Sequence, residues 1–334
     1  MRAIKKARKT GVPRLFAFCA FLVLQMPAPL VAQEYRPSKP VRIIMSNAVG
    51  SPHDITLRGA ALVFSQTFGQ PFIVDNRPAG RGVIATTACI QSAPDGHTLC
   101  LNSFINISLN PFLYADTPYD VPRDLVPVIR LGAIISALLV GPNVPVNSVR
   151  ELFEFARHKP GSVTFAHFGV GSVNNLIMEW AKRERGVQFY AVPYKVSVQS
   201  LNALLAGETQ VALYAVAVMV PHVKQGRAKA LAVMGEKRHV LMPAVPTLRE
   251  AGIELDLDNW TGIFMPAGTR REIVQRLNQE FGKLIADAAF REKIMLPSGL
   301  EPDEPNTPEA FAAFIKRDRD MYEKLIKSTG LKGD

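Results

Sequence analysis

The sequence predicts an α/β protein whose parallel strands are covered by helices. Short β-branched or apolar runs alternate along the chain with segments whose apolar residues recur every three or four positions. The chain has 334 residues, and the 302 that follow residue 32 are many for a single core but enough for two. These observations indicate two lobes, each built on its own sheet.

The N-terminal part of the chain contains four predicted strands and three predicted helices. The strands are Val41–Met45, Phe72–Asp75, Thr98–Leu101 and Leu138–Val140. Two helices are predicted from about Asp54 to Gln66 and from Val83 to Ser92. Ser148 and Glu151 form a capping box, which starts a third helix that should end near Pro160.

The C-terminal part continues the alternation. Its predicted strands are Val163–Ala166, Gln188–Val192, Gln210–Leu213 and Ala228–Met234. A helix after residue 172 should bury Leu176, Ile177, Trp180 and Ala181. Thr269 and Glu272 form a second capping box, before a helix whose apolar stripe is Ile273, Leu277, Phe281 and Leu284. Thr307 and Pro308 open the last helix, with a buried face of Phe311, Phe314, Ile315 and Leu325.

The N-terminus has the three-part layout of a secretory signal peptide. Six basic residues and no acid lie between Arg2 and Arg14, followed by an apolar stretch of twelve residues, Leu15–Met26, in which Gln25 is the one polar residue. Cleavage is expected after Ala32, so residues 1–32 form the predicted signal peptide and the protein is predicted to lie in the periplasm. A membrane anchor is the alternative, but twelve residues fall short of the roughly 20 that span a bilayer.

The charge of the exported chain argues against a nucleic-acid partner. The whole sequence has 39 Lys and Arg against 29 Asp and Glu. Six of the bases precede residue 33, which leaves a net charge of +4. A weak positive field favours an anionic ligand without identifying it.

Two cysteines, Cys89 and Cys100, remain after the predicted cleavage. An oxidising compartment would allow a disulfide bond if their side chains face each other. Two buried thiols are an equally good interpretation. No histidine lies near them at metal-ligand spacing, and we expect neither a metal site nor a cofactor.

Residues 74–99, with the Gly80 and Gly82 turn between a strand and a helix, carry a family resemblance. Their sequence is VDNRPAGRGVIATTACIQSAPDGHTL. Supporting blocks are Asn110-Pro111, Pro118–Asp120, Val192–Lys195, Pro243–Thr247, Glu250–Gly252 and Pro266–Thr269. The chain from about Tyr35 to Lys327 therefore resembles the Bug family, the TctC-like extracytoplasmic solute receptors of tripartite tricarboxylate transporters.

This resemblance implies a two-lobed type II periplasmic binding protein fold, in which each lobe is a mostly parallel sheet flanked by helices. The two crossings between lobes are expected near Ile134–Val140 and Trp260–Pro266. Lobe one would then be residues 33–133 plus 261–334, and lobe two residues 134–260.

A first ligand-binding loop is expected at Ser46–Asp54, between a strand and a helix. Helix N-termini at the carboxyl ends of strands offer N–H groups to a carboxylate. Here Gly50, Pro52 and Asp54 match the family, while Ser46, Asn47 and Ser51 depart from its usual Pro, aromatic and Gly residues. The candidate ligand contacts are Ser46, Asn47, Ala48, Gly50 and Asp54. Asp54 could instead be a plain N-cap, and His53 is expected to face solvent.

A second loop, His167–Ser172, matches the Gly-x-Gly-(Thr/Ser) pattern of the family before a helix. Gly169 and Gly171 would let the backbone approach a ligand closely, and Ser172 could donate to it or cap the helix. Asn102 and Ser103 end a lobe-one strand and are expected in the same cleft, and Tyr194 follows a lobe-two strand.

Other departures from the family indicate an apolar wall. Val196 stands where the family has Gly, and Val211–Val220 is apolar where the family has an Asp and a polar or aromatic stretch. We therefore expect a carboxylate with an apolar or aromatic body rather than a citrate-like ligand with several charges.

Enzyme activity is not expected. Gly80–Ala85 fits the G-x-G-x-x-G/A pattern, but four residues separate it from its strand, and the next strand ends in Asn102 and Ser103 instead of an acid. The sequence contains no hydrolase motif and no histidines at ligand spacing on one helix.

The sequence thus predicts a monomeric periplasmic receptor that closes two lobes around a small carboxylate and passes it to a membrane permease. A ligand sensor that signals to a membrane partner, without dedicated transport, is the alternative, because it would have the same pocket.

Overall fold

Two sheets organise the part of the chain that the structure, a computed structural model, describes. That part is residues 35–255 and 257–333, together with Ala3. The predicted signal peptide, apart from Ala3, lies outside the described residues. Within them, none of the helices is both long and apolar enough to cross a membrane.

The first sheet has six strands in the order β11-β4-β10-β3-β1-β2. They are β1 (Val41–Met45), β2 (Phe72–Asn76), β3 (Thr98–Ser103), β4 (Leu125–Ala133), β10 (Trp260–Pro266) and β11 (Glu301–Pro302). β1 pairs in parallel with β2 and β3, whereas β10 is antiparallel to both β3 and β4, and β11 is antiparallel to β4. Only β10 and β11 therefore run against the other strands of this sheet.

The second sheet has five strands in the order β7-β6-β8-β5-β9. They are β5 (Ser136–Val140), β6 (Thr164–His167), β7 (Tyr190–Pro193), β8 (Val211–Ala215) and β9 (Lys229–Val233). β6 is parallel to β7 and β8, and β5 is antiparallel to β8 and β9. Each sheet is thus parallel in most of its strands, and β5 and β10, which follow the two crossings, run the other way.

The helices surround both sheets. They are α1 (Pro52–Phe68), α2 (Val83–Ile90), α3 (Asn110–Leu113), α4 (Val121–Asp124), α5 (Val149–Arg157), α6 (Val173–Arg185), α7 (Ser197–Ala206), α8 (Val216–Lys224), α9 (Arg271–Ala286), α10 (Ala288–Phe290), α11 (Leu296–Ser298) and α12 (Pro308–Thr329). A 3-10 turn, Gly80–Gly82, precedes α2, and a π-helical turn, Ile105–Leu109, leads into α3.

The chain passes from the first sheet to the second through Ile134 and Ile135, between β4 and β5. It returns between β9 and β10, because all of Trp260–Pro266 is a strand of the first sheet. The second crossing therefore precedes the segment in which the sequence places it. The lobe limits predicted from the sequence stay a prediction.

Helices cover both faces of the first sheet because its strands bury apolar side chains on both sides. On one face α1 and α9 pack together, and the rings of Phe64 and Phe281 meet edge to face with centroids 4.6 Å apart. On the other face α12 packs on β10, where Phe311 lies 5.2 Å from Phe264.

Helix starts show which of the predicted caps form. Ser148 accepts a hydrogen bond from the Glu151 N–H at 3.1 Å, which confirms Ser148 as the N-cap. The Glu151 carboxylate reaches back one residue further than a capping box requires, to the N–H of Asn147 at 2.8 Å. The box predicted at Thr269 is wrong, because the Thr269 hydroxyl donates to the Pro266 carbonyl and the N-cap of α9 is Arg270. Thr269 therefore stabilises the turn before α9 and does not cap the helix.

Cys89 and Cys100 form a disulfide bond, which decides between the two interpretations of the cysteines. Their Cα atoms are 6.0 Å apart, and the bond ties α2 to β3. Both side chains are buried.

Candidate functional site

A depression of about 420 Å³ lies at the carboxyl edge of the first sheet. It is lined by Ser46, Asn47, Pro78, Ala79, Gly80, Arg81, Gly82, Ser103, Ile105 and Asn106. These residues follow or end β1, β2 and β3, which are parallel neighbours, so their carboxyl ends meet there. Open α/β sheets bind ligands at such an edge. The depression therefore brings together the predicted site residues Ser46, Asn47 and Ser103.

Asp54 organises the first loop instead of facing the depression. Its carboxylate accepts hydrogen bonds from the Gly50 N–H, the Arg58 guanidinium and the Asn76 amide, at 2.9 to 3.0 Å. Burial alone would raise the pKa of Asp54, but these hydrogen bonds and the charge of Arg58 hold it below its usual range. The N-cap of α1 is Ser51, so the plain N-cap interpretation of Asp54 is wrong.

His53 is buried, with 7% of its surface exposed, so the expectation that it faces solvent is wrong. Its Nδ1 accepts a hydrogen bond from the Asn47 side-chain amide at 3.1 Å. Burial lowers the pKa of His53 to about 4, so the ring is neutral near pH 7. A neutral ring can accept this bond, and it fixes the side chain of Asn47 at the edge of the depression.

The Gly80–Gly82 turn forms one wall of the depression, although sequence reasoning did not place it in the site. Arg81, between the glycines, has φ of 57°. Its carbonyl accepts hydrogen bonds from the side-chain amides of Asn106 and Asn110, both at 3.0 Å. The sequence feature that could have identified this wall is the Gly-rich turn between a strand and a helix, because the same pattern indicates the other two loops.

Asn102 and Ser103 point to opposite faces of β3. The Asn102 side chain is buried under α2, where its Oδ1 accepts a hydrogen bond from Thr86 at 2.7 Å. Ser103 lines the depression and its hydroxyl lies 3.4 Å from Asn106 Oδ1. Ser103 thus lies at the depression, whereas Asn102 connects β3 to α2, and a ligand contact of either residue stays a prediction.

The second loop satisfies most of its own polar groups. Ser172 is the N-cap of α6: its hydroxyl accepts from the Asn175 N–H at 3.4 Å and donates to the Gly169 carbonyl at 2.8 Å. The Gly171 N–H donates to the Asn175 side chain at 3.1 Å. Ser172 thus stabilises the loop, and Gly169, at φ of 100°, makes its turn possible.

Tyr194 is directed to the interior of the second sheet's layer. Its hydroxyl is 2.7 Å from that of Thr209, which is buried, and its ring packs on the cluster formed with α7 and α8. This contact supports the fold, and the side chain is not among the residues that line the depression.

The second loop nevertheless lies next to the same segment as the depression. A Cβ at Gly171 would come within 2.5 Å of Leu113 and 3.2 Å of Leu109. Ile105 and Asn106, which line the depression, begin the continuous helical segment that contains these leucines. One helical segment therefore contacts the loops of both sheets.

The depression offers groups that can recognise a polar ligand. Its lining offers hydroxyl, amide and backbone groups. Among the described residues that line it, Arg81 carries a charge. The described residues contain no cluster of three or more His, Cys, Asp or Glu that could hold a metal ion.

Comparisons with known proteins give the family. The family model described as tripartite tricarboxylate transporter family receptor matches residues 56–331. A UPF0065 protein from the gbd 5' region of Cupriavidus necator is 32% identical over 312 residues, which cover 92% of this chain and 94% of that protein. Protein BugT of Bordetella pertussis is 30% identical over 311 residues, covering 91% and 93%.

Solved structures agree with this assignment. The structure of R. palustris Rpa4515 with adipate has a TM-score of 0.75 and 28% identity, and the match covers 89% of this chain and 99% of that one. MatC of Rhodopseudomonas palustris with bound malate has a TM-score of 0.72 and 26% identity, covering 87% and 99%. The chain therefore belongs to the receptor family of tripartite tricarboxylate transporters, as its resemblance to Bug proteins indicated, and is a two-lobed periplasmic solute-binding receptor rather than an enzyme.

Proposed function

We propose that this receptor captures a small carboxylate between its two lobes and delivers it to the permease of a tripartite tricarboxylate transporter. The observation that carries the proposal is the depression at the carboxyl edge of the first sheet, where three loops present hydroxyl, amide and backbone groups. Two relatives of the same fold are described with adipate and with malate, which are both small carboxylates.

The proposed polar contacts are Ser46, Asn47 and Ser103, with the backbone of Ala48. The N–H groups of Gly50, Gly169 and Gly171 already donate within their own loops, so these glycines would contribute close approach of the backbone to the ligand. Asp54, Asn102, Ser172 and Tyr194 support these loops through the hydrogen bonds described above. Lobe one would comprise residues 33–133 and 261–334, and lobe two residues 134–260. Ligand contacts to both lobes would stabilise the closed state relative to the open one.

The ligand is proposed to have an apolar or aromatic body. Four apolar side chains on these segments are exposed: Val49 in the first loop, Ile105 in the lining of the depression, and Phe168 and Val170 in the second loop. Covering such side chains favours an apolar ligand by about 25 cal/mol per Å². Tighter binding of citrate than of benzoate would contradict this specificity.

A thermal-shift screen tests the proposed function. Protein purified from the periplasm would be heated with C4–C8 dicarboxylates, tricarboxylates, aromatic acids and neutral sugars. A ligand at 100 times its Kd should add ~2.7 kcal/mol of stability, a shift of several degrees. Asn47→Ala should reduce the shift. Asn143→Ala is the control, because Asn143 is an exposed residue between β5 and α5 that does not line the depression. Stabilisation by neutral sugars alone would refute carboxylate binding.

We propose a monomer that is cleaved after Ala32 on export, which N-terminal sequencing and light scattering of the periplasmic protein would test.

The identity of the membrane partner would distinguish transport from signalling. Crosslinking in membranes should yield permease subunits. A signalling protein as the crosslinked partner would favour the sensor alternative.

A further inference from the structure

We propose that the hydrogen bond between His239 and Glu301 opposes closure of the two lobes and so lowers the apparent affinity of the receptor for its ligand. The inference rests on the proposed function and deepens it, because it names a contact that regulates capture and release. Neither residue lines the depression, so the effect would act through the arrangement of the lobes.

The contact joins the lobe built on the first sheet to the lobe built on the second. Glu301 begins β11, an edge strand of the first sheet, and pairs there with Ala133 at the end of β4. His239 lies in the loop that follows β9, and its carbonyl accepts a hydrogen bond from the Met242 N–H at 2.9 Å. Met242 is buried in a core cluster of the second sheet, so the loop moves with that lobe.

The neutral form of the His239 ring is able to make this hydrogen bond. Its Nδ1 accepts a hydrogen bond from the Leu241 N–H at 3.0 Å, so the ring hydrogen is on Nε2, which donates to the Glu301 carboxylate. The His239 side chain is 4% exposed and that of Glu301 is 32% exposed. A hydrogen bond to a charged acceptor, shielded from water in this way, is stronger than an exposed ion pair.

The strand order places this contact and the depression on opposite sides of the chain crossings. In the first sheet, the order is β11-β4-β10-β3-β1-β2, and the chain leaves at the end of β4 and returns at the start of β10. The depression lies at the ends of β3, β1 and β2, whereas β11 lies beyond β4. A rotation about the crossings that brings the second lobe onto the depression therefore carries the loop of His239 away from Glu301.

The two crossings lie side by side, as a hinge requires. The Ile134 N–H, in the first crossing, donates to the Asn259 carbonyl, at the end of the second, at 3.1 Å. A cavity of about 540 Å³ beside the His239–Glu301 contact is lined by residues 234–240 of the second lobe and 301–304 of the first. This cavity would widen as the depression closes.

Two ion pairs at the same cavity each stay within one lobe. Arg130 lies 2.8 Å from Asp303, and Arg238 lies 2.8 Å from Glu250. Closure would leave both pairs intact, because their partners move together, whereas the hydrogen bond between the lobes would be lost.

The contact is formed while the depression is uncovered. The described residues that line the depression lie between Ser46 and Asn106, and they belong to the first sheet and to the segments that follow its strands. In the second loop, Phe168 is 39% exposed and Val170 is 40% exposed. The hydrogen bond is thus a feature of the open arrangement.

A contact that stabilises the open arrangement alone weakens ligand binding. The apparent Kd equals the intrinsic Kd divided by the fraction of the protein that is closed. Loss of the contact would raise the closed fraction and tighten binding. In the intact receptor the contact would assist release, because it reforms as the lobes separate.

The experiment measures the Kd of adipate, malate and benzoate by calorimetry, with the periplasmic protein and its variants. His239→Asn keeps an acceptor for the Leu241 N–H but is too short to reach Glu301, and Glu301→Ala removes the acceptor from the other lobe. Glu304→Ala is the matched control, because it removes an equal charge from an exposed residue that lines the same cavity.

For the acid that the wild-type protein binds most tightly, His239→Asn and Glu301→Ala should each lower the Kd about threefold to tenfold. Glu304→Ala should change the Kd less than about twofold, since exposed charges are screened. The double variant should bind no more tightly than the single variants, because both remove one contact. Weaker or unchanged binding in either single variant that folds, or equal tightening in Glu304→Ala, would overturn the proposal.

Spin labels measure the arrangement of the lobes without a ligand. Leu62→Cys in α1 and Val198→Cys in α7 place the labels on exposed positions of the two lobes, and the disulfide bond protects Cys89 and Cys100 from labelling. With His239→Asn, the population of short label distances should rise about threefold or more. If the wild-type protein binds none of the three acids, carboxylate capture fails, and the label distances still decide on the hinge contact. An unchanged distance distribution would overturn it.

Discussion

The indole N–H of Trp260 donates a hydrogen bond of 2.8 Å to the carboxylate of Asp318, inside the core between β10 and α12. The bond joins the first residue of β10 to the middle of the last helix. Burial raises the pKa of Asp318 from 3.8 to about 6, since the hydrogen bond from Trp260 does not fully replace hydration. The carboxylate of Asp318 is thus ionised at neutral pH in a buried position, where the loss of hydration disfavours its charge.

Replacement of Asp318 by Asn should stabilise the protein at pH 7.5. Because the folded pKa is raised, the stability associated with this group is present below pH 4 and is lost as the pH rises through 6. Two pKa units correspond to roughly 3 kcal/mol, and Asn keeps an acceptor for Trp260. Urea unfolding at pH 7.5 and pH 4 measures the effect, which should disappear at pH 4. Asp320→Asn, on the exposed face of the same helix, is the control, and destabilisation by Asp318→Asn at pH 7.5 would contradict the account.

His53 should make the protein less stable in mild acid. Its pKa is about 4 in the folded protein and 6.5 without burial. Between pH 6.5 and pH 4, His53 is therefore protonated in the unfolded chain but neutral in the folded chain. The free energy of unfolding should fall by up to roughly 3 kcal/mol from pH 7 to pH 4.5 because of this group. His53→Gln should reduce that fall, measured by denaturant titration at both pH values. An equal reduction in His158→Gln, whose side chain is exposed, would show that burial of His53 is not the cause.

The disulfide bond should contribute measurably to stability. Cys89 and Cys100 are 11 residues apart in sequence, and closing a loop of this size stabilises a protein by about 3 kcal/mol. The double variant Cys89→Ser/Cys100→Ser should melt several degrees lower than the wild-type protein. Its melting temperature should not respond to dithiothreitol, whereas that of the wild-type protein should fall. A reductant effect of the same size on both proteins would refute the assignment.

Gly171 should tolerate alanine less well than Gly186. Both glycines have positive φ, at 79° and 63°, and both flank α6, but a Cβ at Gly171 would meet Leu113 at 2.5 Å while one at Gly186 would meet nothing within 4 Å. Gly186→Ala should cost about 1–2 kcal/mol for the backbone alone. Gly171→Ala should cost about 1–3 kcal/mol more through overpacking. Equal thermal shifts in the two variants would mean that the loop does not press on Leu113.

Local patterns predicted much of the secondary structure. β1, the helices α1 and α2, and the N-cap at Ser148 depend on residues close in sequence, and the structure contains them within a few residues of the predicted limits. β4 and β10 were not predicted as strands. β4 contains Pro127 and Gly132, which weaken a strand pattern, and it is stabilised by pairing with β10, more than 120 residues later.

The sequence by itself determined the family, the alternation of strands and helices, and two of the loops that carry candidate site residues. The tertiary structure decided which side chains those loops expose. Asn102 and Ser103 are neighbours in sequence, yet only Ser103 lines the depression, because alternate residues of β3 face α2 and the opposite side. Asp54 and Ser172 matched ligand-binding patterns but are occupied by hydrogen bonds within their loops, and Arg81 joined the site because β1, β2 and β3 are adjacent in the sheet. Strand order and side-chain pairing depend on contacts distant in sequence, which no local pattern encodes.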